Sequence, residues 1–200
     1  KLGTRVCEVI EEKNGVRISW DGPDGHHTAT GAGAVISSMG NRVPGLVPQM
    51  NKERAGFLRN LNYTSCTNVN IALSSPPEHC PAAFIVMPRP VAPGMFALIV
   101  EHNKAPGRTP PGKGLVTMYA MNEWSVANRD ADDQQIVERM LPDAEKAIPR
   151  LGNLIEFTQV TRWYPVLVYS HPGLYKQLGH FHAARDRNSR SAPAGTSINV

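Results

Sequence analysis

Two hundred residues are enough for one good hydrophobic core, or for one full domain plus parts of another. Apolar residues make up 41% and charged residues 19%, which excludes wholesale disorder. The net charge of +4 is spread over scattered lysines and arginines, which excludes the basic stripe of a nucleic-acid binder. Arg185, Arg187 and Arg190 are the densest basic group and read as a solvated loop. No apolar run approaches the roughly 20 residues needed to cross a bilayer, so no transmembrane segment is expected. Cys7, Cys66 and Cys80 are odd in number and far apart, which predicts reduced thiols and a cytoplasmic setting. The first residues carry no signal-peptide core.

The chain opens on a β-meander. Val6–Glu12 and a strand through Val16, Ile18 and Trp20 flank Asn14-Gly15, the strongest short hairpin signal. After the turn Asp21–Gly25 comes a third strand, His26–Thr30. The run Ala34-Val35-Ile36-Ser37 then reads as a parallel strand buried on both faces. Gly and Pro between Met39 and Gln49 suggest a connection between domains. Asn51 can cap a short helix carrying Phe57, Leu58 and Leu61. In the following strand Val69, Ile71 and Leu73 face inward while Asn68 and Asn70 face the other way. A short apolar run, Ala82–Met87, and two strands, Met95–Glu101 and Leu115–Met121, come next.

The clearest helix starts near Asp130–Asp133, whose acidic residues suit the positive end of a helix dipole. Ile136, Met140, Ala144, Ala147 and Leu151 give it a core-facing stripe. A strand over Leu154–Trp163 follows. Leu174–Ala184 is ambiguous between helix and strand, and Arg185–Pro193 reads as loop.

No complete active site emerges from the residues alone. His26-His27, His79-Cys80 and the pair His180 and His182 lack the converging third and fourth ligands of a zinc site at any usual spacing, so no metal is expected. Ser37-Ser38 and Ser74-Ser75 lack a Gly-x-Ser-x-Gly frame. No Gly-x-Gly-x-x-Gly follows a strand, and Gly31-Ala32-Gly33 precedes one instead of following it.

The order of elements resembles the C-terminal half of the FAD-dependent amine oxidase, protoporphyrinogen oxidase and phytoene desaturase superfamily. Four pieces carry the resemblance. They are Arg5–Ile10 with Ala34–Ser38; Phe57–Tyr63 running into Asn68–Leu73; Ile136–Pro149 with Thr161-Arg162-Trp163-Tyr164-Pro165 and Pro172-Gly173; and Ala194-Gly195-Thr196-Ser197. The resemblance implies that Val6 meets the adenine of FAD, that Trp163 lies near the flavin, and that Gly195 and Thr196 approach its phosphates and ribityl chain. A residue-only account makes Val6 a plain strand residue and Trp163 an amphipathic anchor at a domain seam. Thr196 and Ser197 stand where many members carry an acidic residue, and Pro76–Gly114 matches nothing in the family pattern.

The fold so implied is α+β: a mixed or antiparallel substrate-domain sheet with flanking helices, plus a β-meander and a parallel strand from a Rossmann-like FAD domain. The expected division is 1–42 for the FAD-domain fragment, 43–188 for the substrate domain and 189–200 for the start of a last FAD segment. Amine oxidases of the monoamine type carry a lysine where Asn70 stands here. That difference favours the protoporphyrinogen oxidase or desaturase style, in which a sizeable apolar substrate gives up hydride to flavin. The chain opens inside a strand and closes on Gly195–Val200 with no helix to complete the turn, so it is expected to be a C-terminal piece of a longer enzyme. Alone it would be inactive and would retain no FAD, and its exposed flavin-facing surface could pair two copies. The competing class is a ligand-binding or interaction domain without flavin.

Overall fold

The computed structural model describes residues 2–189 and the short strand Ile198–Asn199. The chain forms two compact units, Lys1–Asn62 with Val168–Val200 and Tyr63–Leu167.

In the first unit, strands β1 (Arg5–Glu12), β2 (Gly15–Gly22) and β3 (Gly25–Gly31) form an antiparallel meander in the order β1-β2-β3. Its first turn is Lys13-Asn14, one residue earlier than expected, because Glu12 pairs with Gly15. Gly15 has no room for a side chain: a Cβ there would lie 2.3 Å from the Gly31 carbonyl oxygen. Strand β1 carries a bulge between Val6 and Glu8.

Strand β4 is only Ala34–Val35, paired in parallel with β10 (Ile198–Asn199). The expectation of a strand buried on both faces does not hold for Val35, which is 85% exposed. Among the described residues β4 has a single two-residue neighbour, and nothing covers its second face.

Two helices follow, α1 (Val43–Leu46) and α2 (Lys52–Arg59). The Asn51 side chain caps α2 by accepting hydrogen bonds from the Glu53 and Arg54 amides. Val43, Val47 and Leu58 join Val9 and Phe181 in a small buried cluster. Residues 43–62 therefore pack with the meander, although the sequence reading assigns them to the substrate domain. The same cluster settles the ambiguous segment near the C-terminus. Leu174, Leu178 and Phe181 fall at spacings of four and three, and α6 runs as a helix over Leu174–Ser189, through the stretch expected to be loop from Arg185.

The second unit is a five-stranded antiparallel sheet in the order β6-β7-β8-β5-β9. Its strands are β5 (Cys66–Leu73), β6 (Phe84–Val86), β7 (Met95–Val100), β8 (Gly114–Ala120) and β9 (Ile155–Trp163). Short helices α3 (Glu101–Lys104) and α4 (Asn122–Ala127) interrupt the strands, and α5 spans Asp133–Glu145. The side chain and backbone of Asp132 exchange hydrogen bonds with Gln135, a capping box that starts α5. Ile136, Met140 and Ala144 of α5, with Leu151 beyond its end, pack fully buried on Val69, Ile71, Leu98, Val100, Val116 and Met118 of the sheet. The helix is shorter than its apolar stripe: Arg150 adopts a left-handed conformation and Leu151 lies in the 3-10 turn that follows. Arg162 ties β9 to the start of α5, donating to Asp133 Oδ1 at 2.6 Å and the Ala131 carbonyl at 2.7 Å.

Ile71 lies on the central strand with no exposure, so Ile71→Ala should destabilise the second unit by about 2–5 kcal/mol in a urea titration followed by near-UV circular dichroism. Asp132→Ala should cost about 1 kcal/mol in the same assay.

Candidate functional site

Each unit presents a surface suited to a ligand. In the first, a cleft of about 1410 Å³ is lined by Val6, Cys7, Asp21, Ala34–Ser38 and residues of α1, among others. Val6 is 42% exposed and Val35 85% exposed, so both leave apolar surface open on this wall. An apolar ring would find contact there, whereas the backbone cradle for a pyrophosphate has no counterpart along this sequence.

At the edge of the cleft, Asp21 accepts a hydrogen bond from the Cys7 thiol at 3.1 Å, and its other oxygen lies 2.7 Å from His26 Nδ1. The His26 contact, followed by the Cys7 thiol, holds the Asp21 carboxyl below the usual carboxylate range. The same hydrogen bond to Asp21 pushes the Cys7 thiol up.

In the second unit only one face of the sheet is covered by α5. Alternation along β5 sends Val69, Ile71 and Leu73 to the core and Asn68, Asn70 and Ala72 to the opposite face, on which Asn68 is buried and Asn70 and Ala72 are partly exposed. Antiparallel register places Tyr119, Thr117 and Leu115 of β8 beside these three on one side, and Thr161, Gln159 and Phe157 of β9 on the other. The middle of the open face is therefore a field of amides and hydroxyls, in which Thr117 Oγ1 donates to Asn70 Oδ1 at 2.8 Å. Its flanks are apolar: Phe84 and Val86 on β6 and Phe157 and Trp163 on β9 are all exposed. Towards one end, Asn70, Thr117, Phe157, Gln159, Glu101 and Arg108 line a hollow of about 310 Å³. At its rim Glu101 pairs with Arg108, and also with Lys104 beside it.

Trp163 ends β9 opposite Cys66 and donates its indole N–H to Asn68 Oδ1 at 2.9 Å. The neighbouring Tyr164 hydroxyl donates to the Ser125 carbonyl at 2.8 Å and contacts Thr67 Oγ1 at 3.0 Å. Ser125 Oγ in turn accepts from the Thr67 amide. This buried network anchors the strand end, so Trp163 has a fixed base and a half-exposed ring. Burial raises the Cys66 thiol. Burial, then the charges of Glu101 and Cys66, raises the Tyr119 phenol.

Of the four cofactor-contacting residues expected from sequence, Val6 lines the cleft of the first unit and Trp163 stands on the open face of the second. Gly195 and Thr196 lie outside the described residues. The Cys7, Asp21 and His26 group was not legible, since 14 and 5 residues separate its members and only the meander brings them together.

A model of the family described as flavin containing amine oxidoreductase matches residues 1–195. The chain belongs to that family. Several solved structures share the fold of this chain. A putative protoporphyrinogen oxidase from Exiguobacterium sp. 255-15 superposes with a TM-score of 0.66 at 14% identity, over 98% of this chain and 41% of its own. A reduced UDP-galactopyranose mutase gives 0.64 at 11% identity, over 92% and 39%. Cyclohexylamine oxidase from Brevibacterium oxydans IH-35A gives 0.63 at 14% identity, over 88% and 39%. The chain thus spans about two-fifths of the length of these structures. No protein of curated function matches it significantly in sequence. Among the described residues no helix is long and apolar enough to cross a membrane.

Loss of the Asn68 acceptor should release the indole. In Asn68→Ala, the emission assigned to Trp163 by subtraction of a Trp163→Phe variant should shift to the red, with about 1 kcal/mol lost in stability. Alkylation of Cys66 should keep accelerating above pH 8.5, about where an ordinary thiol is half ionised, and an early plateau would contradict the burial seen here.

Proposed function

We propose that this chain is the substrate-side, C-terminal portion of an FAD-dependent oxidoreductase that takes hydride equivalents from a sizeable, largely apolar substrate. The observation that carries this reading is the open face of the five-stranded sheet, which no helix among the described residues covers and which exposed aromatic side chains border, in a flavin containing family. A cofactor that performs the redox step needs orientation and exclusion of water from the protein more than it needs an acid, base or nucleophile. The face is supplied accordingly, with Phe84, Val86, Phe157 and Trp163 to cover an apolar body. Gln159, which is exposed, and the partly exposed Asn70 can hold polar substituents along its middle, with buried Asn68 and Thr117 fixing the side chains beside them.

FAD would accept the hydride when bound. On this reading Val6, with the apolar wall Ala34–Ile36, receives the adenine end, Trp163 borders the flavin, and Gly195 and Thr196 approach its phosphates and ribityl chain. The wall fits an aromatic ring because Val6 and Val35 expose apolar surface to the cleft. Asn70, which is neutral and holds the Thr117 hydroxyl, occupies the strand position at which monoamine-type oxidases carry lysine. That favours the protoporphyrinogen oxidase or desaturase branch over amine oxidation.

The 200 residues include no Gly-x-Gly-x-x-Gly cradle, so the isolated chain should purify colourless, leave flavin fluorescence unchanged on titration with FAD, and show no oxidase activity. The longer polypeptide that carries it should purify yellow. If that longer protein shows no flavin absorbance even after refolding with FAD, the oxidoreductase reading fails and a ligand-binding domain without flavin replaces it.

A further inference from the structure

The meander of the first unit gathers a thiol, a carboxylate and an imidazole at one point. Asp21, near the end of β2, is directly paired with His26, near the start of β3. The bulge between Val6 and Glu8 leaves Cys7 as the extra residue of β1, and such bulges re-aim the side chain they carry. Cys7 Sγ, Asp21 and His26 consequently offer three donor atoms that all lie within 4.8 Å of one another. Its neighbour His27 does not compete for the site, because its Nε2 lies 3.1 Å from Asp24 Oδ1.

The grouping invites comparison with a nucleophilic triad, but the hydrogen bonds run the wrong way. The thiol donates to the carboxylate and not to the imidazole, so the imidazole is not placed to take its proton. A divalent cation reverses the preference. It neutralises Asp21, displaces the thiol proton and turns two acceptors and a thiolate into ligands. Sulfur, imidazole nitrogen and carboxylate oxygen are all zinc donors. Tetrahedral coordination at ordinary bond lengths sets such atoms about 3.4–3.6 Å apart. The two contacts to Asp21, 2.7 and 3.1 Å, would open by a few tenths of an ångström to reach that spacing, while the thiol and imidazole lie within 4.8 Å of each other.

We propose that Cys7, Asp21 and His26 form a three-ligand site for a zinc-like divalent cation, with the fourth position open to water. Binding releases one proton, from the Cys7 thiol, to solvent and changes no oxidation state. Arg5, paired with Asp21 across β1 and β2, is the cation that opposes the incoming ion. Cys7 and Asp21 also line the cleft that contains Val6, so an ion there would sit at its wall. The proposal stands on these distances and is independent of flavin binding.

The test uses the full 200-residue chain and cobalt(II) as a spectroscopic stand-in for zinc. A near-ultraviolet thiolate-to-metal charge-transfer band should appear with visible bands of tetrahedral intensity, and excess zinc should erase both. Cys7→Ser should abolish the charge-transfer band while Cys66→Ser and Cys80→Ser retain it. His26→Gln should weaken zinc binding at least about tenfold, the loss that even outer partners of a ligand cause. Zinc should also shield Cys7 from iodoacetamide in the unmodified protein, read by peptide mass spectrometry. Absence of the band, its survival in Cys7→Ser, or equal labelling of Cys7 with and without zinc would each overturn the site, and far-UV circular dichroism checks that the variants fold.

Discussion

The alternation of side chains along β5 is the constraint on which the second unit depends. This strand lies between β8 and β9, so its two-residue period sets the register of both neighbours. Val69, Ile71 and Leu73 commit one face to α5, and Asn68, Asn70 and Ala72 then have nowhere to go but the other. A slip of one residue would bury two asparagine amides beneath the helix, with no partners of the kind that Trp163 and Thr117 supply. Core packing and the chemistry of the open face are therefore one decision made twice.

The first unit is organised differently, around backbone irregularities. The bulge at Cys7 and the close approach of Gly15 to Gly31 both belong to its three-stranded meander. Its buried cluster is small, with Val9, Val43, Val47, Leu58 and Phe181 at its centre. Among the described residues its short strand β4 leaves apolar surface open, and Val35 shows this most plainly.

Periodic elements were legible in the sequence and long-range gatherings were not. The facing of β5 and the stripe of α5 follow from spacing alone, because burial repeats with the period of the backbone. The end of α5 was misjudged, since an apolar residue such as Leu151 can remain in the core from a following turn. Helix α6 was left undecided because its stripe of Leu174, Leu178 and Phe181 is diluted by glycine, histidine and lysine. The boundary near residue 42 was drawn at a cluster of Gly and Pro. The chain turns there but stays with the same unit, because Val43 and Val47 find their partners in Val9 and Phe181. Val6 and Trp163 are singled out only by family resemblance, whereas Cys7, Asp21 and His26 meet only through strand pairing that no local pattern encodes.

The chain leaves the first unit after Asn62 and re-enters it at Val168, and the two passages run side by side. The Thr64 amide donates to the Leu167 carbonyl, the Val166 amide to the Thr64 carbonyl, and the Tyr169 amide to the Asn62 carbonyl. The intervening unit thus begins and ends at one place, closed by its own backbone hydrogen bonds. For the first unit, the entropy of joining residue 62 to residue 168 is that of a tight turn and not of a long loop, once the inserted sheet has formed. The closed ends of the insert thus shorten, for the first unit, the link between its two stretches of chain.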